Sequence, residues 1–209
     1  LEFYREEDAP LFFGRATLTA ELVKRLLDHP LLVVVGASGS GKSSVVRAGV
    51  IPALKGGLEP LTSSLPRSKL KKEGSREWVY LTIMPTDRPL EQLALALTSD
   101  LVTASDTWAI IRDLEEDSNS VRVYILKYLE RQKKPHLFLF VDQFEELFTT
   151  CKDETQRRAF IKGLLAAVDS DSPVTLAITL RADFYHYCAQ YMGLRHALEQ
   201  RQIYIGTPS

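Results

Sequence analysis

The chain has 209 residues, 45% of them hydrophobic, which is enough for one sizeable folded core and excludes a disordered protein. Its 26 Lys and Arg residues nearly balance 27 Asp and Glu residues, and the net charge of −1 excludes an overall field that would attract nucleic acid or an anionic membrane. Two distant cysteines argue against a disulfide framework and a zinc site, and no apolar run approaches the ~20 residues of a membrane span, so we expect a cytoplasmic protein.

Short apolar runs alternate with helical patterns along the chain, and this alternation predicts an α/β three-layer sandwich with a mainly parallel sheet. The predicted strands are Leu31–Val35, Trp78–Met84, Leu137–Val141 and Val174–Leu180. Apolar residues at three- and four-residue spacing predict helices over Leu18–Leu27, Val45–Leu54, Pro89–Leu101, Trp108–Leu114, Val121–Leu129 and Gln156–Val168. A last helix is predicted to be capped by Asp183 and to run through Tyr191.

The first predicted strand leads into a glycine-rich loop and a helix that begins near Lys42. Residues 36–43 match the pattern G-x-x-x-x-G-K-[ST] of a phosphate-binding P-loop. The predicted nucleotide contacts are Gly36, Ala37, Ser38, Gly39, Ser40, Gly41, Lys42, Ser43 and Ser44. Backbone N–H groups and a helix N-terminus would bind an anion there, with the Lys42 ammonium on the β- and γ-phosphates and the Ser43 hydroxyl on Mg²⁺.

The third predicted strand ends in the sequence "LFVDQFEELF", which has the form of a Walker B segment. Asp142 would lie at the carboxyl end of this strand and hold Mg²⁺ through water. The residue directly after it is Gln143, which cannot accept a proton, so the water-activating base is expected to be Glu145 or Glu146. The alternative is that both glutamates are exposed first-turn residues stabilised by the helix dipole.

Two arginines complete the candidate site. Arg181 follows the fourth predicted strand and would contact the γ-phosphate, unless it forms only a surface salt bridge with Asp183. The segment Phe13, Gly14 and Arg15 would lie against adenine, although an aromatic staple under the first helix is an alternative. The basic loop at residues 66–76 lacks interleaved aromatic residues and is interpreted as a solvated connection, so no nucleic-acid patch is predicted.

These segments together resemble the STAND class of NTPases, the signal-transduction ATPases with numerous domains, and within it the novel STAND NTPase family often found beside WD repeats in bacteria. The matching segments are "EFYREEDAPLFFGR", "GASGSGKSSVVRAGVIPAL", "LFVDQFEELF" and "LAITLRADFY". The resemblance implies an ATP/ADP-dependent switch with Mg²⁺, in which Lys42, Ser43 and Asp142 match the Walker residues. It also implies that Glu145 and Glu146 are the acidic doublet and Arg181 the sensor arginine.

The chain begins at Leu1 and ends in "IYIGTPS", so we expect a segment of a longer signalling or defence protein. Within it, residues 1–30 would form an adenine-side segment and helix, and residues 31–209 the nucleotide-binding core. The resemblance implies further helical, winged-helix and WD-repeat domains and nucleotide-dependent self-assembly. An ATP-driven AAA+-like motor and a nucleotide kinase remain alternatives.

Overall fold

The computed structural model describes residues 15–56, 75–98, 104–168 and 172–206. The strands are β1 (Leu31–Gly36), β2 (Val79–Ile83), β3 (Leu137–Val141), β4 (Val174–Arg181) and β5 (Gln202–Ile205). The helices are α1 (Ala16–Asp28), α2 (residues 42–54), α3 (Pro89–Thr98), α4 (Ala104–Glu116), α5 (Ser120–Gln132), α6 (Glu146–Thr149), α7 (Glu154–Ala167), α8 (Tyr185–Cys188) and α9 (Met192–Arg201).

The five strands form one parallel sheet in the order β2-β3-β4-β1-β5. The predicted α/β fold with a mainly parallel sheet is therefore confirmed. Strand β4, which ends at Arg181, lies next to β1, strand β3, which leads into Asp142, lies beyond β4, and β2 lies further out. Because all strands are parallel, their carboxyl ends meet at one edge of the sheet.

The sheet is covered on both faces, which explains why its central strands are almost continuously buried and mostly apolar. In β1, Val33 and Val35 face a core that includes residues of α3, α4, α5 and α7. Leu32 and Val34 face the opposite core, which includes residues of α1 and α2. Alternate residues of one strand thus enter different cores, and the domain is a three-layer sandwich.

Helix α2 changes its hydrogen-bonding pattern along its length. It consists of an α-helical turn Lys42–Ser44, a π-helical segment Val45–Val50 and a second α-helical turn Ile51–Leu54. Pro52 lies just after the π-helical segment, and its missing N–H removes a bond to the preceding turn. Such widened turns occur often at functional sites, and this helix carries Lys42 and Ser43.

Three features at the end of the chain differ from the sequence predictions. Asp183 does not cap a helix, because it pairs with Arg181, and the helix predicted through Tyr191 is a 3₁₀ turn Ala182–Phe184 followed by α8, which ends at Cys188. Helix α9 and strand β5 were not predicted.

The predicted helix end at Leu101 and residues 66–74 of the basic loop lie outside the described residues. Among the helices that the structure describes, none is long and apolar enough to cross a membrane.

Candidate nucleotide-binding site

The glycine-rich loop between β1 and α2 forms an open cradle at the carboxyl edge of the sheet. Gly39 and Gly41 have φ angles of 75° and 84°, a conformation that favours glycine. A Cβ atom added to Gly39 would meet no heavy atom within 4 Å, so space is open in front of the loop. Gly36 has a different role, since a Cβ there would lie 2.4 Å from the carbonyl oxygen of Ile205 in β5.

Lys42 folds back across this loop. Its Nζ donates hydrogen bonds to the carbonyl oxygens of Gly36 at 3.0 Å and Ala37 at 2.7 Å. Burial lowers the pKa of Lys42, and the negative charge of Glu145 opposes this shift. Because both acceptors are neutral carbonyls, an anionic phosphate would be a stronger partner for the ammonium.

Asp142 is 1% exposed and accepts hydrogen bonds on both carboxylate oxygens. Its Oδ1 accepts from Ser43 Oγ at 2.6 Å, from Thr179 Oγ1 at 2.6 Å and from the backbone N–H of Gln143 at 3.0 Å. Its Oδ2 accepts from Nε and Nη2 of Arg47 at 3.0 and 2.9 Å. The carboxylate is therefore fixed beside the hydroxyl of the P-loop serine.

Sequence reasoning missed two of these residues, Arg47 and Thr179. Arg47 follows Ser43 by four residues, which places both on one face of α2. Thr179 precedes Arg181 by two residues in β4, so their side chains share one face of the sheet. These two spacings could have indicated that Arg47 and Thr179 face the site. Only the adjacency of β3 and β4 shows that Thr179 reaches Asp142.

Gln143, directly after Asp142, has a left-handed backbone with φ of 53°. This conformation costs roughly 1–2 kcal/mol in a non-glycine residue. Its N–H is held by Thr179 Oγ1 at 2.9 Å and by Asp142. The chain thus turns sharply between Asp142 and the acidic doublet.

The two glutamates of the doublet have different surroundings. Glu145 is 9% exposed, and its Oε2 accepts from the backbone N–H of Arg181 at 3.2 Å. Burial raises the pKa of Glu145, while backbone hydrogen bonds and the charges of Lys42 and Arg181 oppose the shift. Burial also raises the pKa of Glu146, and the charge of Asp142 adds to this effect. Glu145 is the glutamate that interacts electrostatically with the P-loop lysine.

Arg181 lies beside the P-loop but turns its side chain outward. Its backbone is paired in register with Gly36, the first residue of the loop. Its guanidinium bonds Asp183 at 3.1 Å and 2.6 Å and lies 5.3 Å from the centre of the Phe184 ring. The salt bridge considered as an alternative is therefore present, within the electrostatic range of Lys42.

Arg15 approaches the loop from the start of α1. Its Nη2 donates to the carbonyl oxygen of Gly206 at 3.3 Å, and its guanidinium would lie 3.7 Å from a Cβ on Gly41. The Nη1 atom is buried and has no hydrogen-bond partner within the described part of the chain. Phe13 and Gly14 lie outside the described residues.

The remaining loop residues differ in exposure. Ala37 and Ser38 are exposed, and Ser44 is half-buried in α2. Ser40 is fully buried, and among the described residues its Oγ has no hydrogen-bond partner. Exposed loop residues around an open concavity are compatible with the approach of a ligand.

The donor atoms of the site suit Mg²⁺ bound beside a nucleotide. The described ranges contain no group of three or more His, Cys, Asp or Glu residues placed to hold a metal. Ser43 and Asp142 instead offer two hard oxygen donors next to the open cradle. Mg²⁺ commonly takes one or two protein ligands together with water and substrate phosphates, so these residues fit the ion.

Comparison with solved structures gives the same fold. The Aeropyrum pernix ORC2 protein in its ADPNP–ADP complexes matches with a TM-score of 0.51 and 13% identity over 93% of this chain and 48% of that chain. The ADP form of the same protein matches with a TM-score of 0.48 and 12% identity, over 91% of this chain and 47% of that chain. A Walker-type ATPase of Pyrococcus abyssi matches with a TM-score of 0.48 and 16% identity, over 99% of this chain and 56% of that chain. The chain spans about half the length of these structures.

Comparison with sequence families covers all of the chain. No curated protein sequence matches it significantly. The profile of the novel STAND NTPase 1 family matches residues 1–209. The structure supplies the P-loop fold that such a protein requires. The chain therefore belongs to the novel STAND NTPase 1 family and is a nucleotide-binding NTPase domain.

Proposed function

We propose that this domain is an ATP-dependent switch that binds ATP and ADP with Mg²⁺ and hydrolyses ATP slowly. The observation that carries the proposal is the 2.6 Å hydrogen bond between Ser43 of the P-loop helix and Asp142 at the end of β3. It joins a phosphate cradle to a buried carboxylate at one edge of the sheet. This is the pairing that Mg²⁺-dependent phosphoryl chemistry requires.

The phosphates would occupy the open side of the glycine-rich loop. Backbone N–H groups and the N-terminus of α2 favour an anion there, and Lys42 supplies a positive charge. Ser43 and Asp142 would hold the metal, since Ser43 donates its hydrogen to Asp142 and keeps its lone pairs for a cation. When bound, Mg²⁺ neutralises charge that develops on the phosphates.

Glu145 is our preferred general base, with Glu146 as the second candidate. Burial raises the pKa of Glu145, which makes it a better proton acceptor, while the charges of Lys42 and Arg181 oppose this shift. Its hydrogen bond from the backbone N–H of Arg181 fixes the side chain next to the strand that pairs with Gly36. Slow turnover is expected because Gln143, directly after Asp142, has an amide that cannot take a proton. A slow hydrolase suits a timed switch.

The two arginines would respond to the nucleotide from opposite sides of the loop. Arg181 is paired with Asp183, and a γ-phosphate would compete for its forked donors. Arg15 keeps a buried Nη1 without a partner among the described residues, next to Gly41. We propose Arg15, with Phe13 and Gly14, as the adenine-side contact.

We further propose that residues 1–209 act as one domain of a larger cytoplasmic signalling or defence protein. In this proposal, residues 1–30 are the adenine-side segment and helix, and residues 31–209 are the core. Family membership supports such a setting. Helical, winged-helix and WD-repeat domains would accompany the domain, and nucleotide-dependent self-assembly would provide the output.

The Lys42→Ala variant tests the phosphate site. We expect ATP binding to weaken by roughly 10- to 100-fold, because a charge-assisted hydrogen bond contributes about 1.5–3 kcal/mol. Calorimetric titration of ATP measures this change. Lys134→Ala is the matched control, since Lys134 lies before β3 and pairs with Glu77, at the opposite edge of the sheet. Equal affinities of the Lys42→Ala variant and the unmodified protein would refute the proposed cradle.

A further inference from the structure

Arg47 is a charged residue at the site for which the P-loop and Walker B patterns give no role. It lies in the π-helical segment of α2, and its guanidinium makes two hydrogen bonds to Oδ2 of Asp142. The Asp142 side chain is 1% exposed, whereas that of Arg47 is 29% exposed. The buried carboxylate thus already has a cationic partner.

We propose that Arg47 sets the affinity of the site for Mg²⁺ by neutralising Asp142. This inference rests on the nucleotide site proposed above. Ser43 and Arg47 project from the same helix and bond different oxygens of the carboxylate, Oδ1 and Oδ2 respectively. A cation brought to Ser43 therefore meets a carboxylate whose charge Arg47 has largely cancelled.

The expected size of the effect follows from Coulomb's law. A +1 and a +2 charge about 6 Å apart repel enough to change an equilibrium about tenfold, even with the screening of bulk water. Without nucleotide, the site should attract Mg²⁺ weakly. Phosphates would supply the missing negative charge, so the metal would enter with the nucleotide rather than before it.

A purely structural role for Arg47 makes a different prediction. The guanidinium also lies 5.7 Å from the centre of the Phe140 ring in β3, so the side chain helps to fasten α2 to the sheet. If this were its whole contribution, replacement would lower stability and leave the metal dependence of binding unchanged. Metal dependence therefore separates the two roles.

The first test measures ADP affinity with Mg²⁺ and with EDTA by calorimetry, in the unmodified protein, Arg47→Gln, Arg47→Lys and Arg25→Gln. The dissociation constant of ADP in EDTA divided by that in Mg²⁺ gives a ratio that reports how much Mg²⁺ strengthens binding. We expect Arg47→Gln to increase this ratio about tenfold or more. Arg47→Lys should stay within about threefold of the unmodified protein because the charge is kept. Arg25 pairs with Glu21 on α1 and serves as the control.

An unchanged or smaller ratio in Arg47→Gln would overturn the inference. Absence of ADP binding by the unmodified protein would instead overturn the proposed nucleotide site. Arg47→Met, which keeps an aliphatic stem near Phe140, replaces Arg47→Gln if that variant does not fold.

A second test needs neither nucleotide nor hydrolysis. Electron paramagnetic resonance measures the uptake of Mn²⁺, used as a probe for Mg²⁺, by nucleotide-free protein. We expect Arg47→Gln to bind Mn²⁺ about tenfold more tightly than the unmodified protein. Micromolar uptake by the unmodified protein, or equal uptake by both, would contradict the role of Arg47.

Discussion

Gln143 stands between Asp142 and the acidic doublet Glu145–Glu146, and its backbone geometry gives the neighbouring carboxylates different surroundings. Gln143 is held in a left-handed conformation by hydrogen bonds to Thr179 and Asp142. The next acidic side chain, Glu145, turns inward to the backbone of Arg181. The turn therefore decides which carboxylate lies beside the strand end of Arg181, and sequence adjacency alone does not show this.

This arrangement predicts the effect of Glu145→Gln on turnover. The amide preserves the shape but cannot take a proton, so hydrolysis should be abolished while ATP binding is retained. The unmodified domain should turn over on the order of once per minute or less, well below the ~10 s⁻¹ typical of enzymes. Single-turnover phosphate release measures both rates.

Two variants serve as comparisons for this experiment. Glu146→Gln should keep most of the activity, and Gln143→Glu tests whether a carboxylate directly after Asp142 raises the rate. Fast turnover in the unmodified domain, or full activity in both Glu→Gln variants, would show that the base lies elsewhere.

The elements were predictable where burial is continuous. The strands β1, β3 and β4 have apolar residues on both faces, and their boundaries match the predictions to within one residue. Strand β5 escaped prediction because its exposed Gln202 and Tyr204 alternate with two buried isoleucines at the sheet edge. Helix α9 escaped because it buries only Leu194, Ala197 and Leu198.

The candidate site was predictable where a local motif marks its residues, but the contacts between distant segments were not. Its motifs located the loop and Asp142, because each motif carries its own local chemistry. The partners of Asp142 depend on strand order, which places β4 between β1 and β3. Spacing along the chain does not determine that order, so the contact of Thr179 with Asp142 required the structure.

Packing between α5 and α7 makes a prediction about stability. A Cβ on Gly163 would lie 2.4 Å from Cγ2 of the buried Val121. Gly163→Ala should destabilise the domain by up to about 2 kcal/mol, since overpacking of about 1–3 kcal/mol is offset by a helix-propensity gain of up to about 1 kcal/mol. Urea denaturation measures the change.

The matched control is Gly193→Ala in α9, where the new Cβ would meet only the end of the Leu165 side chain at 3.0 Å. This variant should be nearly neutral. Adding Val121→Ala to Gly163→Ala should recover part of the lost stability, and a strictly additive double variant would rule out the proposed clash.

At the scale of the whole molecule, the carboxyl and amino edges of the sheet carry different kinds of side chains. The carboxyl edge holds the charged site, whereas His136 lies at the amino edge before β3. It stacks on Trp78 with ring centres 4.1 Å apart and contacts Thr175 Oγ1 at 2.9 Å. Burial lowers the pKa of His136 from 6.5 to about 4.

Because the pKa of His136 is lowered in the folded protein, we expect the domain to lose stability in acid. Between about pH 6.5 and 4 the unfolded chain binds a proton at His136 that the folded chain does not, so the free energy of unfolding should fall as pH falls through this window. Denaturant titrations at several pH values measure the slope. His136→Gln should flatten it, and His196→Gln controls for loss of an exposed imidazole. Equal slopes in all three proteins would exclude His136 as the cause.

The contact between Gly36 and β5 leaves no slack between the phosphate loop and the edge strand, since even one added carbon would strike Ile205. Arg15 closes the same corner by bonding Gly206, so segments 191 residues apart in the chain meet there. A displacement of Gly36 towards β5 would therefore have to displace Ile205 as well. Because Arg15 bonds the next residue, Gly206, the position of the glycine-rich loop is coupled to β5 and to the start of α1.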